Sequence, residues 1–467
     1  MPPLLPPLLD QTLRRVDRRY RLPPLAAAAS LTDADGPATK LAVVIEAARR
    51  DIAQGQVPDT ALKRIFIDAL AQMIRHAMRD EAGDAALQAT VLRHRVVQVR
   101  EYASLAADAN QDRRAIHAAV NAFAHPAKLQ RLAHDAPRAA LAQLQAAASA
   151  HAWRDVEAAL ANLLATPAIA ASPTLARDIE QLAGNAALGR LLRLEALAQD
   201  ERVRRYQSLL NRNGPRPGSA QAIAQGTRSQ QRGAAVETLA MQALDALAAR
   251  LNDADTAGLQ YRVVTSMRVP AAIPGSHDRA KTEWDAVLLE RARTDDDDER
   301  CAWDIRLLVE AKASVDAATT DLPRLLRGLR LLAHAHTHTV YGFETQQGAV
   351  KLNGASLHAL TADEAGVAKE VLYCCDGPAD TPQRLLGAAS RMQLLSAPAS
   401  VGFASKLAEG HPASTHELEP VWQALQESPH WHSVLNQYPM LNQVRDLMVH
   451  TDDLMTAIRS LPASVGR

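Results

Sequence analysis

The chain has 467 residues, with 52 Lys and Arg against 52 Asp and Glu and a formal net charge of zero at pH 7. This length exceeds one ordinary domain, so we expect about three. The balanced charge excludes a protein that holds nucleic acid by bulk positive charge, so any such contact requires a local basic patch. Hydrophobic residues make up 47% and aromatic residues only 3%. The apolar share is therefore mostly Ala and Leu, which predicts a predominantly α-helical chain.

The cysteines and the apolar stretches indicate a cytoplasmic protein. Cys301, Cys374 and Cys375 have neither the spacing of a disulfide framework nor that of a zinc site. The opening MPPLLPPLLD is broken by prolines and lacks a basic segment, so we do not expect a signal peptide. Apolar stretches end well before the roughly 18 residues that a membrane span needs, so we expect no membrane partner.

Residues 1–205 are predicted to form an all-α helical bundle. In Thr60–Arg79, for example, the apolar residues fall on one stripe and the charges lie off it. The region has no fixed period that would indicate a named helical repeat. Its function is not readable from the sequence, and we treat it as a candidate surface for a protein partner or for self-association.

Residues 206–232 are predicted to form a basic, arginine-rich linker. Seven arginines occur between positions 202 and 232, with no Asp or Glu among them. This is the local basic patch that the neutral composition requires. The candidate nucleic-acid-binding residues are Arg212, Arg216, Arg228 and Arg232. A solvated linker with scattered arginines is the alternative interpretation.

Residues 233–359 are predicted to form an α+β core with a small mixed sheet. A helix over 234–251 precedes three β-rich runs at 260–269, 284–290 and 303–310, and a helix over 324–334 and a strand around 339–344 follow. The predicted order is helix, three-strand meander, helix, strand. Residues 360–467 are predicted to be mostly helical, with one further strand near 370–374, and are a candidate for completing the core.

Three polar residues fall in or at the end of the predicted strands: Asp285 in TEWDAVLL, and Glu310 and Lys312 in LLVEAKAS. Because side chains alternate along a strand, positions 310 and 312 share a face, and Asp285 on the neighbouring strand can join them. Two buried carboxylates repel each other, whereas a divalent ion would pair with both. The spacing therefore predicts a divalent-metal site.

This pattern resembles the PD-(D/E)XK nuclease superfamily, whose members have a restriction-endonuclease-like core. In that superfamily an acidic residue on the second strand and an E-x-K motif on the third bind Mg²⁺ and activate water. Asp285 matches the acidic position, Glu310 and Lys312 match the motif, and Glu237 matches a glutamate that many members carry on the first helix. The resemblance covers about residues 233–345.

The resemblance implies a metal-dependent nuclease that hydrolyses phosphodiester bonds of DNA, with RNA as the other substrate class. It implies that Asp285 and Glu310 ligate the metal together with the Ala311 carbonyl, and that Glu237 assists. Lys312 would position the attacking hydroxide or stabilise the charge of the transition state.

Two other classes of function remain open. Trp284 stands where the proline of the superfamily's name would be, and a nuclease-like fold can persist without activity. In that case the chain would be an inactive scaffold that binds nucleic acid or protein, with a salt bridge between Asp285 and Lys312. A small-molecule enzyme such as a phosphosugar synthase is the weaker alternative, because its (β/α)₈ fold needs eight strand–helix units.

Overall fold

The structure is a computed structural model, and it describes residues 5–130, 135–214, 218–292, 302–360, 364–379 and 383–461. The chain forms two compact units. One, the sheet unit, consists of Met1–Met73, Gly218–Leu394 and Leu418–Arg467, and the other, the helical unit, consists of Ile74–Pro217 and Leu395–Glu417. The predicted N-terminal domain of residues 1–205 is therefore divided between the two units.

Most of the described chain is helical, as the Ala- and Leu-rich composition predicts. The first helices are α1 (Pro7–Arg15), α2 (Pro37–Ala53), α3 (Thr60–Ala77), α4 (Ala85–Arg95), α5 (Val97–Ala124), α6 (Pro126–Leu129), α7 (Asp135–Ser149), α8 (Trp153–Leu164), α9 (Pro167–Ala170), α10 (Pro173–Ala183), α11 (Ala186–Leu197) and α12 (Glu201–Arg212). The later helices are α13 (Ala220–Ala254), α14 (Val315–Ala333), α15 (Gly354–His358), α16 (Glu364–Glu370), α17 (Ala388–Ser396), α18 (Pro398–Ala408), α19 (Glu419–Glu427), α20 (His432–Leu435), α21 (Gln437–Leu447) and α22 (Thr451–Arg459). None of the helices in the described part of the chain is long and apolar enough to cross a bilayer.

The helical unit is built around α5, which packs against α7 and α11. Apolar side chains on one face of α5, among them Ile116 and Val120, are fully buried in a core with Trp153 and Leu188. The long helix is stabilised mainly by this burial, because an isolated helix gains little from propensity alone.

A mixed five-stranded sheet organises the sheet unit. Its strands are β1 (Leu259–Arg268), β2 (Glu283–Ala292), β3 (Asp304–Ala311), β6 (Val371–Cys375) and β7 (Met448–His450), in that spatial order. The first three form an antiparallel meander, whereas β6 pairs in parallel with both β3 and β7. This open sheet has the α+β class that the sequence predicts, and it is not a (β/α)₈ barrel.

Helices cover both faces of the sheet. On one face, apolar residues of α13 and α22 pack against β2 and β3, with Leu244, Leu247 and Leu288 fully buried. On the other face, α14 and α21 pack with Trp284 and Leu308. Covered faces explain why the strands have continuous apolar runs, since both sides of the sheet lie in a hydrophobic core.

A strand forms where the sequence predicts one around 339–344, but it lies outside the main sheet. It forms β4 (Val340–Phe343), which pairs with β5 (Val350–Asn353) in a separate two-stranded sheet. Val340 is 50% exposed, so this strand suits an edge hairpin. All five residues of β6 are buried, as an interior strand requires. The region 360–467 thus supplies β6 and β7 to the main sheet.

Candidate functional site

The charged residues of the site meet at one edge of the five-stranded sheet, where β2 begins and β3 ends. We use the name strand-end cluster for Lys281, Asp285, Glu310, Lys312 and Asp321. Ala286 pairs with Val309 in the β2–β3 register, so the next positions, Asp285 and Glu310, are neighbours. The structure therefore brings together the three residues that sequence spacing singles out, and adds a second lysine and a third carboxylate.

Glu310 lies at the centre of the cluster and is completely buried. Its Oε2 atom is 2.5 Å from Lys281 Nζ and 3.1 Å from Lys312 Nζ. The two ammonium groups balance a charge that would be strongly unfavourable if it were buried alone.

Asp285 completes the contact between β2 and β3. Its Oδ2 accepts a hydrogen bond from the backbone N–H of Ala311 at 2.9 Å. Lys281 Nζ and Lys312 Nζ each lie 3.8 Å from one of its carboxylate oxygens. On β1, Ser266 lies between residues that pair with the two neighbours of Asp285, and its φ is 50°. This left-handed conformation is strained for a residue other than glycine, and such strain is concentrated at functional sites.

Lys312 follows β3 and is held from both ends. Its backbone N–H donates to the Cys374 carbonyl at 2.9 Å. Its ammonium lies 3.5 Å from Asp321 Oδ2, and the Tyr373 hydroxyl donates to the same carboxylate oxygen at 3.3 Å. Asp321 and Tyr373 therefore orient the lysine against Glu310 and Asp285.

Burial and charge shift the pKa values of the cluster in definite directions. Burial raises the pKa of Glu310 to about 8, and the charge of Asp285 acts in the same direction, whereas both lysines oppose it. For Lys312, burial acts to lower the pKa, but Glu310, Asp285 and Asp321 together raise it above its ordinary value. Lys312 is accordingly a cation at neutral pH, suited to electrostatic stabilisation rather than to proton abstraction.

Glu237 belongs to α13 and remains exposed. Partial burial raises its pKa, and the negative charge of Asp285 adds to this effect, while Lys312 and Lys281 lower it. The charges of the cluster thus act on Glu237 from across the sheet, and its assisting role stays a prediction.

The structure separates the predicted nucleic-acid-binding arginines into different environments. Arg228 and Arg232 are exposed on α13, whereas Arg216 lies outside the described residues. Arg212 belongs to α12 and donates to the backbone carbonyls of Asp80 and Glu81 at 3.3 and 3.1 Å.

The predicted linker 206–232 is largely helical, which corrects the sequence-based interpretation. Positions 206–212 complete α12 and 220–232 begin α13. Two other arginines of the patch are neutralised, since Arg202 pairs with Asp200 and Arg205 pairs with Asp80. The two aspartates lie outside residues 202–232, so the absence of acidic residues within that stretch overestimated the number of arginines with uncompensated charge.

Asp285 and Glu310 are oxygen ligands of the kind that Mg²⁺ prefers, and one or two carboxylates with water complete many magnesium sites. Within the described ranges, no group of three or more His, Cys, Asp or Glu side chains could hold a metal ion. The donor chemistry of the pair therefore fits Mg²⁺, but Lys281 Nζ already contacts both carboxylates. The repulsion that the sequence predicts between them is partly offset by the two lysines.

Sequence reasoning missed Lys281, Asp321 and Tyr373. Lys281 precedes β2 by two residues, and Asp321 lies inside α14. The signals were weak: a lone lysine in a loop and an Asp two residues before Pro323 are typical of turns. Tyr373 looked like an ordinary strand residue, and its hydroxyl reaches Asp321 only because β6 lies beside β3.

The chain matches no protein-family model, no curated protein and no solved structure. The chemistry of the strand-end cluster is therefore argued from its own contacts and charges.

Proposed function

We propose that the chain is a Mg²⁺- or Mn²⁺-dependent nuclease that hydrolyses phosphodiester bonds of DNA or RNA. The observation that carries the proposal is the meeting of Asp285, Glu310 and Lys312 where β2 begins and β3 ends. The surrounding order of α13, three antiparallel strands and α14 supports it, because the sequence over which the resemblance runs predicts the same helix, three-strand meander and helix.

Each residue of the cluster has a role that follows from its contacts. Lys312 is charged and held by Asp321, so its ammonium stabilises negative charge that develops on a phosphoryl oxygen. Removing one such preorganised charge costs roughly 3 kcal/mol or more, which is at least a hundredfold in rate. Asp321 and Tyr373 act as positioning residues for this lysine.

Asp285 and Glu310 would hold the divalent ion, with the Ala311 carbonyl as the further ligand that the resemblance implies. When bound, such an ion polarises the phosphate and lowers the pKa of the attacking water. The hydrogen bond from the Ala311 N–H fixes the Asp285 carboxylate relative to β3. The two acidic side chains are thus preorganised by the strand pairing itself.

Nucleic acid is the proposed partner, through the first half of α13. From Ala220 to Ala235 this helix is mostly exposed and carries Arg228 and Arg232 but no acidic residue. The two arginines are four positions apart and so lie on one side of the helix. The same helix continues to Glu237, so the phosphate backbone of a bound nucleic acid would follow the exposed first half of α13 toward the strand-end cluster.

An inactive scaffold is the second candidate function. The observation that favours it is the neutralisation of both carboxylates by Lys281 and Lys312, because a buried ion-pair network can be purely structural. Such a scaffold would bind nucleic acid through α13 or bind protein through the helical unit.

A cleavage assay distinguishes the two candidates. The purified chain is incubated with labelled single-stranded, double-stranded and branched DNA and RNA, with Mg²⁺, with Mn²⁺ and with chelator. We expect metal-dependent cleavage that decreases at least a hundredfold in Lys312→Met. Lys369→Gln, which removes an exposed lysine of α16, is the matched control and should cleave like the parent.

Equal cleavage by the parent and Lys312→Met would refute the assignment of the site. Parent protein that binds these substrates but cleaves none of them would favour the scaffold. Circular dichroism of each variant confirms that the comparison is made between folded proteins.

A further inference from the structure

Lys281 holds an unusual position for a lysine. Its side chain is only 5% exposed, and its Nζ contacts Glu310 Oε2 at 2.5 Å and Asp285 Oδ1 at 3.8 Å. The same ammonium lies 5.9 Å from the centre of the Trp284 ring. A buried cation that contacts both acidic residues occupies the position from which a divalent ion would contact them.

The chain fixes this lysine through its backbone. The Lys281 N–H donates to the Arg324 carbonyl of α14 at 3.1 Å. Gly328, one turn further along α14, permits this approach, since a Cβ there would lie 2.8 Å from both the Cβ and the carbonyl oxygen of Lys281. The lysine is therefore held in place by the packing of the β1–β2 connection on α14.

A second hydrogen bond fixes the β1–β2 connection just before Lys281. Arg327 Nε donates to the carbonyl of Arg279 at 2.9 Å, and Arg279 has a φ of 54°. A strained backbone persists only where its surroundings determine it. The placement of Lys281 is thus specified by several independent contacts and is not a chance rotamer.

Charge decides how this lysine affects metal binding. The strand-end cluster contains two lysines and three carboxyl groups. A divalent ion between Asp285 and Glu310 would meet the Lys281 ammonium at contact distance, and like charges at such a distance repel strongly in a poorly solvated site. The ammonium and the ion therefore exclude each other.

We propose that Lys281 is a tethered cation that holds the two acidic residues together in the absence of metal and lowers the metal affinity of the site. This inference rests on the proposed function, because it concerns the same metal position. It adds a regulatory element: metal binding requires the Lys281 ammonium to leave Glu310.

A Mn²⁺ titration, followed by the electron paramagnetic resonance signal of free Mn²⁺, tests the proposal without any substrate. The proteins are the full-length parent, Lys281→Gln, Lys281→Arg and the control Lys369→Gln. Glutamine keeps N–H donors for Glu310 but removes the charge, so we expect its Kd to be at least tenfold lower than that of the parent. Lys281→Arg keeps the charge and should retain the weak binding of the parent.

The outcomes separate this inference from the proposed function. Equal Kd values for the parent and Lys281→Gln would overturn the role of Lys281 and leave the metal site intact. Absence of Mn²⁺ binding in both proteins would overturn the metal site and, with it, the nuclease proposal.

Lys281→Gln leaves Asp285 and Glu310 with Lys312 but without the second lysine of the cluster, and a variant that fails to fold is also informative. If the lysine substitutes for metal, then adding Mn²⁺ should restore the helical circular dichroism signal of an unfolded variant. An unfolded variant that Mn²⁺ does not restore would overturn the proposal.

Discussion

The stability of the sheet unit should decrease as pH rises from about 4.5 to 8, because of Glu310. Burial raises the pKa of this carboxyl from 4.5 to about 8 in the folded chain. The folded state therefore holds the proton more tightly than the unfolded state. The resulting stabilisation is complete below pH 4.5 and is lost as pH rises through 8, which is the opposite of an ordinary salt-bridged carboxylate.

The size of the effect follows from the same two values. A difference of about 3.5 pKa units corresponds to about 5 kcal/mol, at roughly 1.4 kcal/mol for each unit. The other titratable groups close to Glu310 include Lys281, Lys312, Asp285 and Tyr373. The raised pKa values of Lys312 and Tyr373 make stability depend on pH only above about 10, outside this range.

Hydrogen exchange during urea unfolding measures the effect where it acts. Peptides from β2 and β3 report the free energy of unfolding of the sheet around Glu310 at pH 5, 6.5 and 8. Glu310→Gln has nearly the same shape and no titrating proton, so we expect its pH dependence to be flatter than that of the parent. Histidines and carboxyls that lie away from Glu310 titrate alike in both proteins and cancel in the comparison.

Glu417→Gln is the control, because Glu417 is a surface partner of Lys406 in the helical unit. This variant should keep the parental slope at β2 and β3. Parallel slopes for the parent and Glu310→Gln would refute the reasoning, as would a free energy of unfolding in the parent that increases from pH 5 to 8 relative to the variant.

Two further predictions concern α13 and α14. Replacing Arg228 and Arg232 by Gln should weaken binding to all nucleic acid sequences alike. It should also lower the slope of log K against log salt by roughly one unit for each phosphate group that the variant no longer binds. The control Arg330→Gln, which removes an exposed arginine, should leave the slope unchanged. Unchanged slopes in the double variant would contradict a nucleic-acid role of α13. Gly328→Ala should destabilise the sheet unit by roughly 1–3 kcal/mol in urea unfolding, because the added Cβ would meet backbone at 2.8 Å. In the control Gly226→Ala in α13, the added Cβ has no atom within 4 Å, so the change should be neutral or stabilising by up to about 1 kcal/mol. If this control is destabilised as much as Gly328→Ala, close packing at Gly328 is not the cause of the destabilisation.

The meander was predictable because local chemistry determines it. The runs 260–269, 284–290 and 303–310 nearly coincide with β1, β2 and β3, since their apolar and β-branched residues suit a sheet covered on both faces. The positions of Asp285, Glu310 and Lys312 near the ends of these runs follow from side-chain alternation and hairpin register. The meander alone was therefore sufficient to predict that these three residues lie close together.

Helix boundaries were less predictable, because signals that usually end a helix are tolerated here. The sequence predicts a linker over 206–232 and a helix from 234, yet α13 begins at Ala220 and runs through Gly226 and Gly233. Pro323 suggested a helix start, yet α14 begins at Val315, with the Ser314 hydroxyl capping its first turn, and continues through the proline. Packing of the rest of each helix outweighs the local penalty.

Long-range pairing was not predictable from local patterns. The choice between 339–344 and β6 as the neighbour of β3 depends on which strand is buried on both faces in the folded chain. Lys281 was missed for a similar reason: its role appears only when α14 packs against the β1–β2 connection at Gly328. A single sequence gives no direct indication of such a contact.

The topology explains why distant residues meet at this edge of the sheet. β3 and β6 are parallel, and Tyr373 of β6 pairs with Glu310 near the carboxyl end of β3, just before Lys312. Antiparallel β2 begins at the same edge, close to Asp285. The connection that enters β2 carries Lys281, and the helix that leaves β3 carries Asp321. The strands β2, β3 and β6, the helix α14 and the connection before β2 each contribute a charged or hydroxyl side chain here. In open α/β sheets, ligands bind outside the carboxyl ends of the strands. The clustering of charge is therefore a consequence of strand order, which is why the proposed chemistry is assigned to this edge.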